Sequence, residues 1–245
     1  MTAKWIDVKD RKDRVLAITI GHYIESITPV SSSYIANTSK LDLSSATIRN
    51  ILAELEEDGY LTHPHTSAGR IPTQKGYRYY VDHLMIEIQL LEAEKERIRE
   101  EYEKESKELE VLLEKTSQVL SELTRYTSII SVDGWGSKLF CNGTSFIVGY
   151  PDGSDMEKIR SILAALDEKE RLLKIINQKL ENKIDIYIGQ ELASCDINSC
   201  SMIISSYRLK DGPSGRMAIL GPTRMQYEKV VPMLEYFSEI MEGLL

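Results

Sequence analysis

The chain has 245 residues, 42% hydrophobic and 28% charged, an ordinary globular composition with material for one or two domains. No run of about 18 apolar residues occurs, and the N-terminal MTAKWIDVKDRKDR lacks an apolar signal-peptide core, so the expectation is a cytoplasmic protein without membrane segments. The net charge of −8 argues against a generic nucleic-acid binder.

That charge is unevenly spread. Residues 1–86 hold ten basic and ten acidic residues, so the whole excess falls later, while all four histidines lie in the first part. Any affinity of the N-terminal part for DNA must therefore come from local placement of a few basic groups. The three cysteines, Cys141, Cys195 and Cys200, are too few for a disulfide framework and read as buried or half-buried thiols in a reducing compartment.

In chain order, residues 11–26 read as a helix with Val15, Ile18, Ile20, Tyr23 and Ile24 on its apolar side, ended ahead of Pro29. Residues 31–39 form a short second helix with serine cap candidates. Ser44 caps a third helix that stops at Gly59 as a C′ glycine. In it Ile48, Ile51, Leu52 and Leu55 share one side, and Ala46, Arg49, Asn50 and Ala53 the other. Small residues let a helix backbone approach a groove floor, while arginine can pair with guanine and asparagine with adenine. The acidic run Glu54, Glu56, Glu57 and Asp58 lies at the far end, so the N-terminal half would face DNA.

An ordinary surface helix could carry the same pattern. The next segment favours the DNA reading. Leu61–His63 and Arg70–Ile71 can pair as a hairpin across Pro64–Gly69, a ribbon in which Arg70 is placed for phosphate or minor-groove contact. Thr73 caps a further helix whose Lys75 and Arg78 are plausible phosphate contacts. His63 and His65 lack a third ligand nearby, so no metal site is expected.

Residues 87–125 are charged, helical in character and free of proline and glycine. A heptad register from Ile88 is broken at Lys95, Glu105 and Thr116. A dimerisation seam, a helix lying on the C-terminal domain and a solvated spacer all remain open. From Ser128 short apolar runs appear: SIISV, KLFCN, SFIVGY, IDIYIG, SMIISSYRL and RMAILG, with helices expected at 154–166, 168–181 and 223–244. Thr223 and Gln226 look like a capping box for the last. The class is α+β, with helices covering a small sheet. No P-loop, GxGxxG, HExxH or GxSxG motif occurs, so neither an enzyme nor a cofactor is expected.

SSATIRN, AELEEDGYL, PHTSAGRIPT and KGYRYYVD at residues 44–82, with CSMIISSYRL and GRMAILGPTRMQYEKVV near the end, resemble the HrcA family of bacterial heat-inducible transcription repressors over about half the chain. The resemblance implies a winged-helix DNA-binding domain, placed at 1–86, and a GAF-like regulatory and dimerisation domain, placed at 126–245. Between them the charged, heptad-like stretch reads as a helical connector at 87–125 that could dimerise. It implies a homodimer on an inverted-repeat (CIRCE-type) operator in double-stranded DNA ahead of chaperone operons, kept active by the chaperonin GroEL. Carried onto this chain, Ser44, Ser45, Thr47, Arg49 and Asn50 would face DNA from the helix, and His65, Thr66, Ser67, Gly69 and Arg70 from the wing. Ser31–Ser33 stand where the family usually has a glycine and a basic residue. Ile130 reaches Phe140 through only a Gly-Trp-Gly turn, without the family's usual long stretch and inserted dimerisation segment.

Overall fold

The computed structural model describes residues 2–39, 41–64, 69–86, 92, 94–96, 98, 109–136, 138–149, 156–178, 180–192, 197–210 and 212–243. The chain divides into two units, Met1–Ile86 and Glu87–Leu245, and both mix helix with antiparallel sheet.

In the first unit α1 (Thr2–Ser26) buries Val15, Leu16, Ile20 and Ile24, while Ile18 stays half-exposed. The helix ends when Ile27 turns left-handed at φ 58, an uncommon state for a β-branched residue, and not at the Thr28–Pro29 step. Ser31 Oγ caps α2 (Ser32–Thr38) by accepting from the Tyr34 N–H, and Ser44 Oγ caps α3 (Ser45–Glu57) by accepting from the Thr47 N–H at 3.1 Å. Ser44→Ala is expected to cost about 0.5–2 kcal/mol of stability by removing that acceptor; chemical denaturation with an unchanged midpoint would contradict the cap.

At the other end of α3, Gly59 takes φ +79. Its N–H donates to the Glu56 carbonyl, and Tyr60 N–H to Leu55, both at 2.9 Å, the paired bonds of a Schellman stop. β1 (Leu61–Thr62) pairs with β2 (Ile71–Pro72), Leu61 opposite Pro72 and Thr62 opposite Ile71. Arg70 therefore does not pair with His63. It bridges Val30, exchanging two backbone hydrogen bonds of 2.8 Å. Thr73 caps α4 (Gln74–Tyr79), which continues as a π-helical turn over Tyr80–Leu84.

In the second unit α5 (Leu109–Thr124) precedes β3 (Thr127–Val132) and β4 (Leu139–Asn142). Then come α6 (Met156–Asp167), α7 (Lys169–Ile176), β5 (Ile184–Ile188), β6 (Cys200–Arg208), β7 (Ser214–Pro222) and α8 (Tyr227–Gly243). The five strands form one antiparallel sheet in the order β4-β3-β7-β6-β5. One face, with Ile129, Met202, Ile204, Ala218 and Leu220, forms an apolar core with Ile159, Ile162, Leu172 and Ile176 of α6 and α7. The other face is covered by α5 and α8 and is richer in hydroxyls. Ser201 meets the Tyr227 hydroxyl at 2.7 Å, Ser205 meets Ser238 at 2.8 Å, and Ser117 donates to the Phe140 carbonyl at 3.3 Å.

Four sequence expectations change here. Leu112, Thr116 and Val119, read as part of a possible seam between chains, are buried inside this unit. The polar break at Thr116 is satisfied by the Leu112 carbonyl at 2.7 Å. Before α5, Ile98 is fully buried and Lys95 lies over the Tyr236 ring at 5.8 Å, so these residues also belong to the sheet unit; Ile88 and Glu105 lie outside the described residues.

The described part of SFIVGY is not a strand. Thr144–Gly149 is a 3-10 helix, because Gly143 turns left-handed at φ +80, and of Ser145–Val148 Ile147 alone is fully buried. The last helix starts at Tyr227, later than the expected capping box. Thr223 takes part through its carbonyl, which accepts the Tyr227 hydroxyl at 2.6 Å. Cys200 is buried, whereas Cys141 is exposed, against expectation; Cys195 lies outside the described residues.

Candidate nucleic-acid interface

Helix α3 buries Ile48, Leu52 and Leu55, anchored against α1, α2 and β1. That burial forces the remaining side outward. Ser44, Ala46, Thr47, Arg49 and Asn50 are exposed, and Ser45 and Ala53 half-exposed. Ser44 and Thr47 hydroxyls meet at 2.9 Å, and Ser45 meets Ser32 of α2 at 3.2 Å. These hydroxyls fix the first turn, while Arg49 and Asn50 have no hydrogen-bond or ion-pair partner among the described residues.

The acidic end of α3 is offset by cations from elsewhere in the unit. Lys12 of α1 holds Glu54 at 3.0 Å and Asp58 at 2.9 Å. The hydrogen bond to Asp58 leads in raising the Lys12 ammonium above its ordinary range, against the opposing effect of burial. Glu56 receives Arg70 Nη2 at 2.8 Å and pairs with His63 Nδ1. Two ribbon residues thus close on one helix carboxylate. A helix ending in Glu-Glu-Asp can face a polyanion at its other end because three of its four acids already have cationic neighbours.

The basic residues singled out in the sequence separate into two groups. Arg49 points out. Arg70 is clasped by Glu56, and its Nε is buried without a hydrogen-bond partner. Lys75 donates to the Asp58 carbonyl at 2.7 Å and lies over the Tyr60 ring at 4.7 Å. Arg78 grips Asp82 through Nη2 at 2.8 Å and Nε at 3.2 Å. All three expected phosphate contacts therefore also hold the fold together. Helical spacing could have flagged the Arg78–Asp82 pair, whereas Glu56–Arg70 and Lys12–Asp58 join residues too distant in sequence for any local signal.

Gly69 earns its place by crowding. A Cβ there would lie 2.5 Å from the Val30 carbonyl oxygen and 2.8 Å from the Pro29 carbonyl carbon. His65, Thr66 and Ser67, expected at the ribbon tip, lie outside the described residues. Tyr79 of α4 donates to Asp13 Oδ1 at 3.0 Å; burial and that bond push its hydroxyl pKa up to about 12.

Residues 132–231 match the family model described as HrcA protein C terminal domain. The chain is similar to the heat-inducible transcription repressor HrcA of Pelotomaculum thermopropionicum, 29% identical with 96% of each chain covered. It is also similar to those of Symbiobacterium thermophilum, at 28% with 93% of this chain and 96% of the relative covered, and of Carboxydothermus hydrogenoformans, at 29% with 97% and 98% covered. The Pelotomaculum alignment runs over 336 positions against 245 residues here, so at least 91 positions have no counterpart in this chain. In fold, the chain resembles a hypothetical protein solved at 2.2 Å, with TM-score 0.74 at 19% identity over 96% of this chain and 97% of that one. The sequence blocks and the full-length relatives agree in making this chain similar to the HrcA proteins, as a shorter form.

Proposed function

We propose that this chain is a heat-inducible transcription repressor that binds an inverted-repeat operator as a homodimer, through the N-terminal half of α3. The observation that carries the reading is the exposed, unpartnered Arg49–Asn50 pair beside small Ala46, on a helix whose acids are drawn back by Lys12, His63 and Arg70. Arginine and asparagine suit guanine and adenine edges in the major groove. The hydroxyls of Ser44, Ser45 and Thr47 sit where a helix N-terminus meets phosphate.

In this reading the first unit acts as a winged helix. The ribbon, with His65, Thr66, Ser67, Gly69 and Arg70, reaches the adjoining backbone, with Lys75 and Arg78 near it. The second unit is the GAF-like regulatory and pairing part. Its pairing surface differs from that of longer relatives, because the apolar side of α5 is already used within the unit. A two-fold pair matches a palindromic site, with half-sites read by equivalent helices. The chaperonin GroEL modulates the repressor, and the protein works in the cytoplasm, where its operator lies. No helix among the described residues is long and apolar enough to cross a membrane.

Footprinting on an inverted-repeat duplex, with and without purified chaperonin, tests this. Protection of both half-sites, strengthened by chaperonin and weakened steeply by salt, is expected. No protection at low ionic strength with chaperonin present would overturn the reading.

A further inference from the structure

We propose that the second unit carries a binding site for a small phosphorylated metabolite, in a cleft of about 680 Å³ at one end of the five-stranded sheet. The volume falls within the range of small-ligand sites. The sheet register builds it. Ser131, Arg216 and Ser206 lie side by side on β3, β7 and β6, and two residues along the strands Ser214 pairs with Arg208. Alternate residues of a strand share a face, so Arg208, Arg216, Ser206 and Ser214 project on the same side as the apolar core residues Met202, Ile204, Ala218 and Leu220. The helical cover stops short of them: Ser131 Oγ donates to Asn177 Oδ1, just past the end of α7, at 3.2 Å. Beyond that point the face changes from apolar to polar.

Three cations line the cleft, Arg208, Lys210 and Arg216, and none has a carboxylate partner among the described residues. Arg216 is the telling one. Among the described residues its Nη1 makes only a long 3.4 Å bond to the Gly215 carbonyl, and its buried Nε has no partner. A buried guanidinium N–H left unpaired is costly, and a phosphate oxygen is the acceptor that suits it best. Arg208 stands diagonally across the strand pair, within reach of the same group. Two acids also line the cleft, Asp133 and Glu242. Asp133 already accepts from Ser214 Oγ at 2.6 Å, which leaves it spare lone pairs. The cleft thus has a cationic part for an anion and carboxylates for hydroxyl or amine donors. A bare inorganic anion uses only the first; a sugar phosphate or nucleotide uses both.

The test is calorimetric titration and thermal unfolding of the full chain with glucose 6-phosphate and with ATP, using glucose as the uncharged control. Saturable binding of at least one phosphate ester is expected, with a rise in melting temperature of about 3–6 °C at tenfold excess over its Kd. Arg216→Gln and Arg208→Gln should each weaken that binding about tenfold or more. Arg49→Ala should leave it unchanged while impairing DNA binding, which keeps this site distinguishable from the DNA-facing helix. If Arg216→Gln perturbs folding, as judged by circular dichroism, the exposed Arg208 decides. No saturable binding of either ester, or binding indifferent to the arginine substitutions, overturns the proposal.

Discussion

Arg49→Ala is expected to lower affinity for an inverted-repeat duplex by about 1–3 kcal/mol per reading helix, roughly 5- to 150-fold, and to relax preference at a single base pair of each half-site. The size of the effect follows from the placement of this side chain. Arg49 is exposed and without partner among the described residues, so its removal orphans no carboxylate among them and costs the fold little. The loss would appear almost wholly in binding. Arg70→Ala differs in kind, because it strips a cation from Glu56 and loosens the ribbon. Competition binding against a panel of single-base operator variants separates the two. An Arg49→Ala protein with wild-type affinity and preference at every position would remove α3 as the reading element.

Gly69→Ala is expected to be among the most damaging single-methyl changes in the first unit, together with Gly76→Ala, whose Cβ would lie 2.3 Å from the Tyr60 carbonyl oxygen. The added Cβ would sit 2.5 Å from the Val30 carbonyl oxygen, a backbone atom that cannot swing aside as a side-chain tip can. Either the ribbon lifts or the Pro29–Val30 segment moves, and in both cases the two 2.8 Å bonds between Val30 and Arg70 are lost. Overpacking of this kind typically costs about 1–3 kcal/mol, and the ribbon's aim on DNA is lost as well. Hydrogen exchange at the Val30 and Arg70 amides reports the break directly. Protection equal to the wild type would show that the approach is less crowded than the geometry implies.

Much of the first unit is legible from local rules. Ser31, Ser44 and Thr73 as caps and Gly59 as the helix stop follow from chemistry within a few residues of chain. The strands of the second unit could be read from their β-branched and apolar runs. SFIVGY misled because a short apolar run looks alike as strand or helix, and the preceding Gly143 decided for a 3-10 turn. The heptad reading of α5 left a seam between chains, a helix on the C-terminal domain and a spacer open for a related reason, and the second is what the structure shows. Heptad spacing shows that one side is apolar, and does not say whether that side is covered by another chain or by the helix's own sheet.

The sequence by itself determined the caps at Ser31, Ser44 and Thr73, the turn at Gly59, the outward Ala46–Arg49–Asn50 side of the third helix, and the resemblance to the HrcA proteins. All of these rest on spacing within one element or on contiguous blocks. Only the tertiary structure decided which charges remain available to a partner. Lys12 with Asp58, Glu56 with Arg70 and Lys75 with the Asp58 carbonyl are pairings across 14 to 46 residues of chain. Whether a surface charge is free or held depends on which distant group folding brings within about 3 Å of it, and no periodicity encodes that distance.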